Sequence, residues 1–196
     1  IVTAIEDNDL EQKGADSGYI SEINGLAEKQ GGDASGWMGT KNDWMVNQGF
    51  DKFEVEENDE IRVMYTKDGG IDLGADYTNK TTSLKNISFS NGTLSTDFSS
   101  DTKEYTLTVP KGTKGVVITP TASNKNFQVR TSVNDIVYKR IQTVPIEDGT
   151  VITVKCGDPE WPSMNNQEGG TAASVPAETY KITVKEEKSS AEQEAL

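Results

Sequence analysis

The sequence predicts a mainly β chain in two parts, a small α+β domain followed by a seven-stranded β-sandwich. Its 196 residues include 18 Gly and many Thr, Val and Ile, a mixture that favours strands and turns over helices. Short runs of alternating apolar and polar residues recur along the chain between Gly and Asn punctuation. Their rhythm changes after residues 78–83, a Thr- and Asn-rich stretch of linker composition. The length suits one large or two small domains.

The elements follow in order. Ile1, Val2, Ile5 and Leu10 are spaced as on one helix face, Ala4 favours the helix, and Asn8 and Asp9 end it. Residues 19–23 read as a strand closed by Asn24 and Gly25, although Ile20, Ile23 and Leu26 fit a helix face equally well. Gly36, Trp37 and Met38 open a further short strand, which Asn42 and Asp43 turn. Phe53 and Val55 lead into a hairpin through Glu57, Asn58 and Asp59. Ile61, Val63 and Tyr65 then alternate with Arg62, Met64 and Thr66 as a half-buried strand. The first domain is expected to span residues 1–77.

The second domain, residues 84–186, offers strand candidates at 87–89, 105–109, 116–118, 127–133, 136–141, 152–156 and 180–184. About seven short strands separated by turn signals are the mark of a β-sandwich. Asn91 and Gly92 supply a tight turn. Residues 157–179 form a long insertion between the last two strands, of a length that compact domains reserve for function or leave without order. Residues 187–196 are a charged tail.

Charge excludes several functions. The formal net charge is −13, and residues 1–77 carry 6 Lys and Arg against 18 Asp and Glu, whereas residues 78–186 carry 12 against 11. Nucleic acid needs a basic face, and an anionic membrane is disfavoured in the same way. Solubility is the plain reading of such acidity; attraction of basic partners is the other. The chain has no His, which removes His-based acid–base catalysis, Ser–His and Cys–His pairs and His metal ligands. The single Cys156 forbids an internal disulfide, and its alternation with Ile152 and Val154 marks it as a small buried hydrophobe. No apolar run reaches transmembrane length, so no membrane insertion is expected.

Within residues 18–74 the motifs YI-x-x-INGL, SGWM, Asn42-Asp43, DEI-x-x-x-Y and G-x-D-x-G occur in that order. This pattern resembles the transcobalamin C-terminal-like domains of secreted bacterial proteins, a β-grasp-type, soluble-ligand-binding family catalogued as of unknown function. The resemblance implies a helix before the first motif and a hairpin before the helix. The N-terminal domain is therefore expected to be β-grasp-like and truncated at its start. It also implies that Trp37, Met38, Asn42, Asp43 and Trp44 edge a binding site facing a corrinoid in the transcobalamin case. From the residues alone, Trp37 on a short strand suits a core position as well as a platform, and Trp44 in a Gly- and Asn-rich loop is the freer of the two.

Residues 84–185, with LKNISFSNGTLSTDFSSDTKEYTLTVP and the closing ETYKITV, resemble the cadherin-like β-sandwich domains of bacterial surface proteins. The resemblance implies an Ig/cadherin-like sandwich. The calcium motifs of true cadherins are missing, so calcium-dependent adhesion is not implied. Trp161, stiffened by Pro159 and Pro162 in the long insertion, is a candidate partner contact, or else folds back on the sandwich.

Other sites are weak. Asp68, Asp72 and Asp76 lie in a Gly-rich loop but without the spacing of an EF-hand. Ser100 and Lys103 have S-x-x-K spacing without its companion motifs, and no nucleophile elbow, phosphate loop or dinucleotide fingerprint occurs. No catalytic residue, metal site or cofactor is expected. The reading is a non-catalytic module of an exported, secreted or wall-associated protein of a Gram-positive bacterium, joined to further modules of a longer chain. Its N-terminal domain is expected to bind a soluble small-molecule ligand, corrinoid or glycan-like. A structural spacer or adhesin is the alternative.

Overall fold

The computed structural model describes residues 1–52, 54–164 and 176–188. The N-terminal domain begins with helix α1 (Val2–Glu6), which ends before Asp9, at φ 55°. Strands β1 (Gln12–Lys13), β2 (Glu22–Ile23) and β3 (Leu26–Ala27) form an antiparallel meander. Asn24 and Gly25 make its second turn at φ 48° and 81°, the left-handed pair of a type I′ hairpin. The expected strand at 19–23 is therefore only its last two residues. Ile20 and Ile23 still turn inward beside Ile5 as a small core.

A second sheet has β4 (Gly36–Lys41) at its centre, between β5 (Trp44–Met45) and β6 (Ile61–Thr66). Asn42 and Asp43, at φ 50° and 69°, form another type I′ turn joining β4 to β5. Residues 54–56 are not a strand. Val55 is exposed, and the backbone groups there are held by side chains instead. Lys41 Nζ donates to the Glu54 carbonyl at 2.7 Å, and the Glu56 amide donates to the Asp59 carboxylate at 2.9 Å. The expected hairpin partner of β6 is thus replaced by β4. Phe53 lies outside the described residues.

The second domain is a two-sheet sandwich. One sheet runs β13 (Thr143–Pro145), β10 (Gly115–Ala122), β7 (Leu84–Phe89). The other runs β12 (Ile136–Tyr138), β11 (Val129–Val133), β14 (Val151–Cys156), β15 (Glu178–Glu186), β9 (Glu104–Val109), β8 (Thr93–Leu94). All pairings are antiparallel except β15 with β9. Strict alternation builds the core. Val116 and Ile118 from one sheet face Leu107, Ile152, Val154, Ile182 and Val184 from the other. All seven expected strands are present, and β8 and β13 are short additions. Asn91 and Gly92 turn the chain from one sheet to the other rather than closing a hairpin, since β7 and β8 lie in different sheets.

Tyr105 is buried, and its hydroxyl both donates to the Ser99 carbonyl and accepts from the Ser99 amide, each at 2.8 Å. A tyrosine that reaches back to the backbone in this way pins the corner of a sandwich. Cys156 is fully buried, and burial pushes its thiol up to about 12, as expected of a hydrophobe and not of a nucleophile.

Candidate functional site

Loop residues 124–126 of the sandwich fasten the two domains together. The Met45 amide donates to the Lys125 carbonyl at 2.7 Å, and the Lys125 amide donates to the Gly74 carbonyl at 2.8 Å. Asn124 Nδ2 reaches the carbonyls of Asp76 (2.8 Å) and Asn79 (2.6 Å), and Asn126 Nδ2 also reaches Asp76 (2.9 Å). Buried backbone groups need such partners, so the loop is held on both sides of the boundary.

Charges reinforce the joint. Lys125 Nζ lies 2.7 Å from Asp43 Oδ1, and Arg140 stands 3.6 Å from both Asp43 and Glu60. Lys139 Nζ reaches Glu56 at 2.5 Å and Asp59 at 3.0 Å. The acidic domain thus docks its carboxylates on cations of the sandwich. Asp59 is the centre of this set, with a fully buried side chain. Burial pushes its pKa up, but the Glu56 amide, Asn42, Lys41 and Lys139 outweigh that and hold it well below the usual carboxylate range.

Beside the joint the domains leave a cleft of about 1050 Å³. One wall comes from the β4–β5 hairpin and the segment to Glu56, and the other from β11, β12 and the turn that follows. Trp44 and Tyr138 supply aromatic surface to the lining, and Gln48 and Gln128 supply amides. Its charged residues are Lys41, Lys52, Arg130, Lys139 and Arg140 against Glu54 and Glu56 alone, so five cations meet two carboxylates in a chain of net charge −13. A concavity of this size, mixing aromatic faces with a few polar groups, is the usual form of a small-molecule site.

The expected site residues divide. Trp44 and Asn42 line the cleft. Asn42 also donates to Asp59 (2.7 Å) and accepts from the Glu60 amide (3.0 Å), so it pins the hairpin as well. Asp43 is buried in the joint. Trp37 points elsewhere: its indole packs against the Ile5, Ile20 and Ile23 core, meets Tyr65 edge-on at 5.3 Å and donates to the Leu26 carbonyl at 3.0 Å. Met38 lies under the turn at Gly70, where a Cβ would come within 2.9 Å of its sulfur. Trp161 folds back on the sandwich, its ring 4.2 Å from the Arg130 guanidinium. The described part of the long insertion therefore meets the cleft rim, while residues 165–175 lie outside the described residues.

Asp68, Asp72 and Asp76 act as caps. Asp72 accepts from the Thr66 hydroxyl and the Lys67 amide, Asp68 from the Asp72 amide, and Asp76 from Thr78 and Asn79. Among the described residues no cluster of three or more His, Cys, Asp or Glu is placed to hold a metal. Lys103 donates to the Ser100 carbonyl, Glu178 and Tyr180, so its proximity to Ser100 serves a strand corner.

The cleft residues that sequence reasoning missed are Gln128, Arg130, Tyr138, Lys139 and Arg140. The adjacent Lys139 and Arg140 were the place to look for a contact between the domains.

A mainly β architecture of two fastened domains fits a surface or structural module. Residues 83–187, more than half of the chain, match the Cadherin-like beta sandwich domain, and the chain belongs to that family. Residues 1–67 match a Domain of unknown function (DUF4430), the transcobalamin-like family that the N-terminal motifs resemble. Neither is a typical enzyme family. No curated protein and no solved structure matches the chain.

Proposed function

We propose that the chain is a non-catalytic binding module of an exported bacterial surface protein, and that its ligand is a soluble, glycan-like molecule held between the two domains. The cleft carries this reading, because it brings Trp44 and Tyr138 together with side-chain amides and charges. Flat aromatic faces suit the apolar faces of sugar rings, and amides and cations suit their hydroxyls. A corrinoid is less well served, since Val46, Val129, Val137 and Pro162 are the aliphatic groups of the lining. The site differs from the one that the N-terminal motifs imply, in that Trp44 and Asn42 remain while Trp37 and Met38 are replaced by residues of the sandwich.

Tryptophan-fluorescence titration of the chain with a panel of neutral and acidic oligosaccharides and corrinoids tests this. Saturable quenching by a saccharide, lost in Trp44→Ala and Tyr138→Ala but kept in Trp37→Phe, is the expected result. Quenching that survives both cleft variants would overturn it. The spacer reading draws on a different observation, the joint at residues 124–126, which fixes the domains to each other as a rigid spacer requires. A folded chain that binds none of the panel would favour the spacer.

A further inference from the structure

We infer that the cleft is selective for a carboxylate-bearing saccharide, with the Arg130 guanidinium as the group that reads the carboxylate. This rests on the binding reading above and narrows it to an acidic ligand.

Arg130 is built as a recognition group. Its Nε and one terminal nitrogen donate to a single acceptor, Gln128 Oε1, at 3.3 and 3.1 Å, while its face lies 4.2 Å from the Trp161 ring. The guanidinium is thereby fixed in plane from one edge and one face, and its remaining terminal nitrogen makes no hydrogen bond among the described residues. No carboxylate of the described residues lies within ion-pair distance of it, although it lines the cleft. The other cations of the wall are differently placed. Lys41 and Lys139 are committed to Asp59 at 2.9 and 3.0 Å, and Lys52 is a mostly exposed side chain beside Asp51.

A second guanidinium is also under-used. Arg140 is 14 % exposed at its side chain, its two carboxylate partners stand at a loose 3.6 Å, and its Nε is buried with no hydrogen-bond partner. Buried donors are normally satisfied, and an unmatched one beside a cleft marks capacity for an acceptor from outside the chain. Arg holds carboxylates through parallel hydrogen bonds, which a neutral ring cannot match.

The aromatic surfaces decide between acidic ligands. A phosphate or inorganic anion would use the cations and leave Trp44 and Tyr138 idle, whereas a uronate ring presents a carboxylate and an apolar sugar face on one residue. The cleft volume of about 1050 Å³ admits a short oligomer.

The test compares trisaccharides of galacturonate, glucuronate and mannuronate with their uncharged methyl esters, by calorimetry and tryptophan fluorescence on the whole chain. At least one acid is expected to bind about tenfold or more tighter than its ester, the scale of a charge-assisted hydrogen bond. Arg130→Gln should abolish that preference, the acid losing about tenfold more affinity than its ester, in a chain whose cooperative melting shows that it is folded. Arg130→Lys should restore only part of it, because a point charge lacks the planar fork. If esters and acids bind equally, the carboxylate selectivity fails and the glycan reading stands. If the preference persists in Arg130→Gln, Arg130 is not the reader. If neither form of any sugar binds the folded chain, both readings fall together.

Discussion

Lys125 crosses the domain boundary to Asp43, its Nζ 2.7 Å from Oδ1, while its own backbone amide and carbonyl bond to Gly74 and Met45. One residue of the sandwich is therefore clamped at three points by the N-terminal domain. Its stem also covers Gly74, whose φ of 102° disfavours any side chain and where a Cβ would stand a tight 3.1 Å from Lys125 Cδ. Asp43 in turn owes its position to the left-handed turn with Asn42. A local turn signal thus sets a long-range ion pair.

A double-mutant cycle measures how much that pair contributes. Both side chains are mostly buried, Asp43 at 6 % and Lys125 at 20 % exposed. Contacting residues of this kind couple by about 1–2 kcal/mol, more than an exposed pair. Asp43→Ala, Lys125→Ala and the double variant, followed by urea unfolding, should give a favourable coupling of that order. Equal and additive losses would mean that the backbone bonds alone hold the joint.

Asp59 makes the joint sensitive to acid. Its carboxylate is held well below the ordinary Asp value near 3.9, so the folded state binds fewer protons than the unfolded state. The stabilisation is present in full above the unfolded value and fades as pH falls towards the folded one. Melting temperature should therefore drop below about pH 4 in the native chain, and the drop should be shallower in Asp59→Asn. Because the amide also removes the charge that Lys41 and Lys139 share, while Lys139 keeps Glu56 and Lys41 keeps the Glu54 carbonyl, Asp59→Asn should lower stability at pH 7 by about 2 kcal/mol. An unchanged acid limb in the variant would remove Asp59 from this role.

The sandwich was legible because alternation marks a strand that is buried on one face, and β9, β14 and β15 alternate strictly. The N-terminal domain was less so. Its strands are mostly two residues long, too short for any period, and what fixes them is turn geometry at Asn24 and Asn42. Val55 looked like a strand residue by type, yet the side chains of Lys41 and Asp59 take the backbone bonds that a strand would have used. The site was legible by half. Trp44 and Asn42 lie in one motif, but their partners come from a hairpin about 90 residues on, and no local pattern in a sequence reports such a meeting.

Tyr105 offers a test inside the sandwich alone. Tyr105→Phe keeps the ring beside Phe98, stacked at 5.6 Å, and removes both bonds to Ser99. The Ser99 amide and carbonyl then lose their partner, and a loss of about 1–2 kcal/mol is expected in chemical denaturation. A neutral result would show that water replaces the hydroxyl at that corner.

Two turns of one geometry should answer the same substitution with opposite signs. Asp43 and Asp135 both occupy the second position of a type I′ turn, at φ 69° and 65°, where glycine is the preferred residue. Asp135 is exposed and makes no hydrogen bond or ion pair among the described residues, so its carboxylate contributes nothing that glycine would lack. Asp135→Gly relieves left-handed strain of about 1 kcal/mol and forfeits some of that gain through a freer unfolded chain, leaving a small net stabilisation. Asp43→Gly relieves the same strain but leaves Lys125 and Arg140 without their shared carboxylate in a mostly buried place. That loss should exceed the relief, giving net destabilisation of about 2 kcal/mol in urea unfolding. Stabilisation by both variants would mean that Asp43 is a turn residue only, and that the ion pair does not hold the domains together.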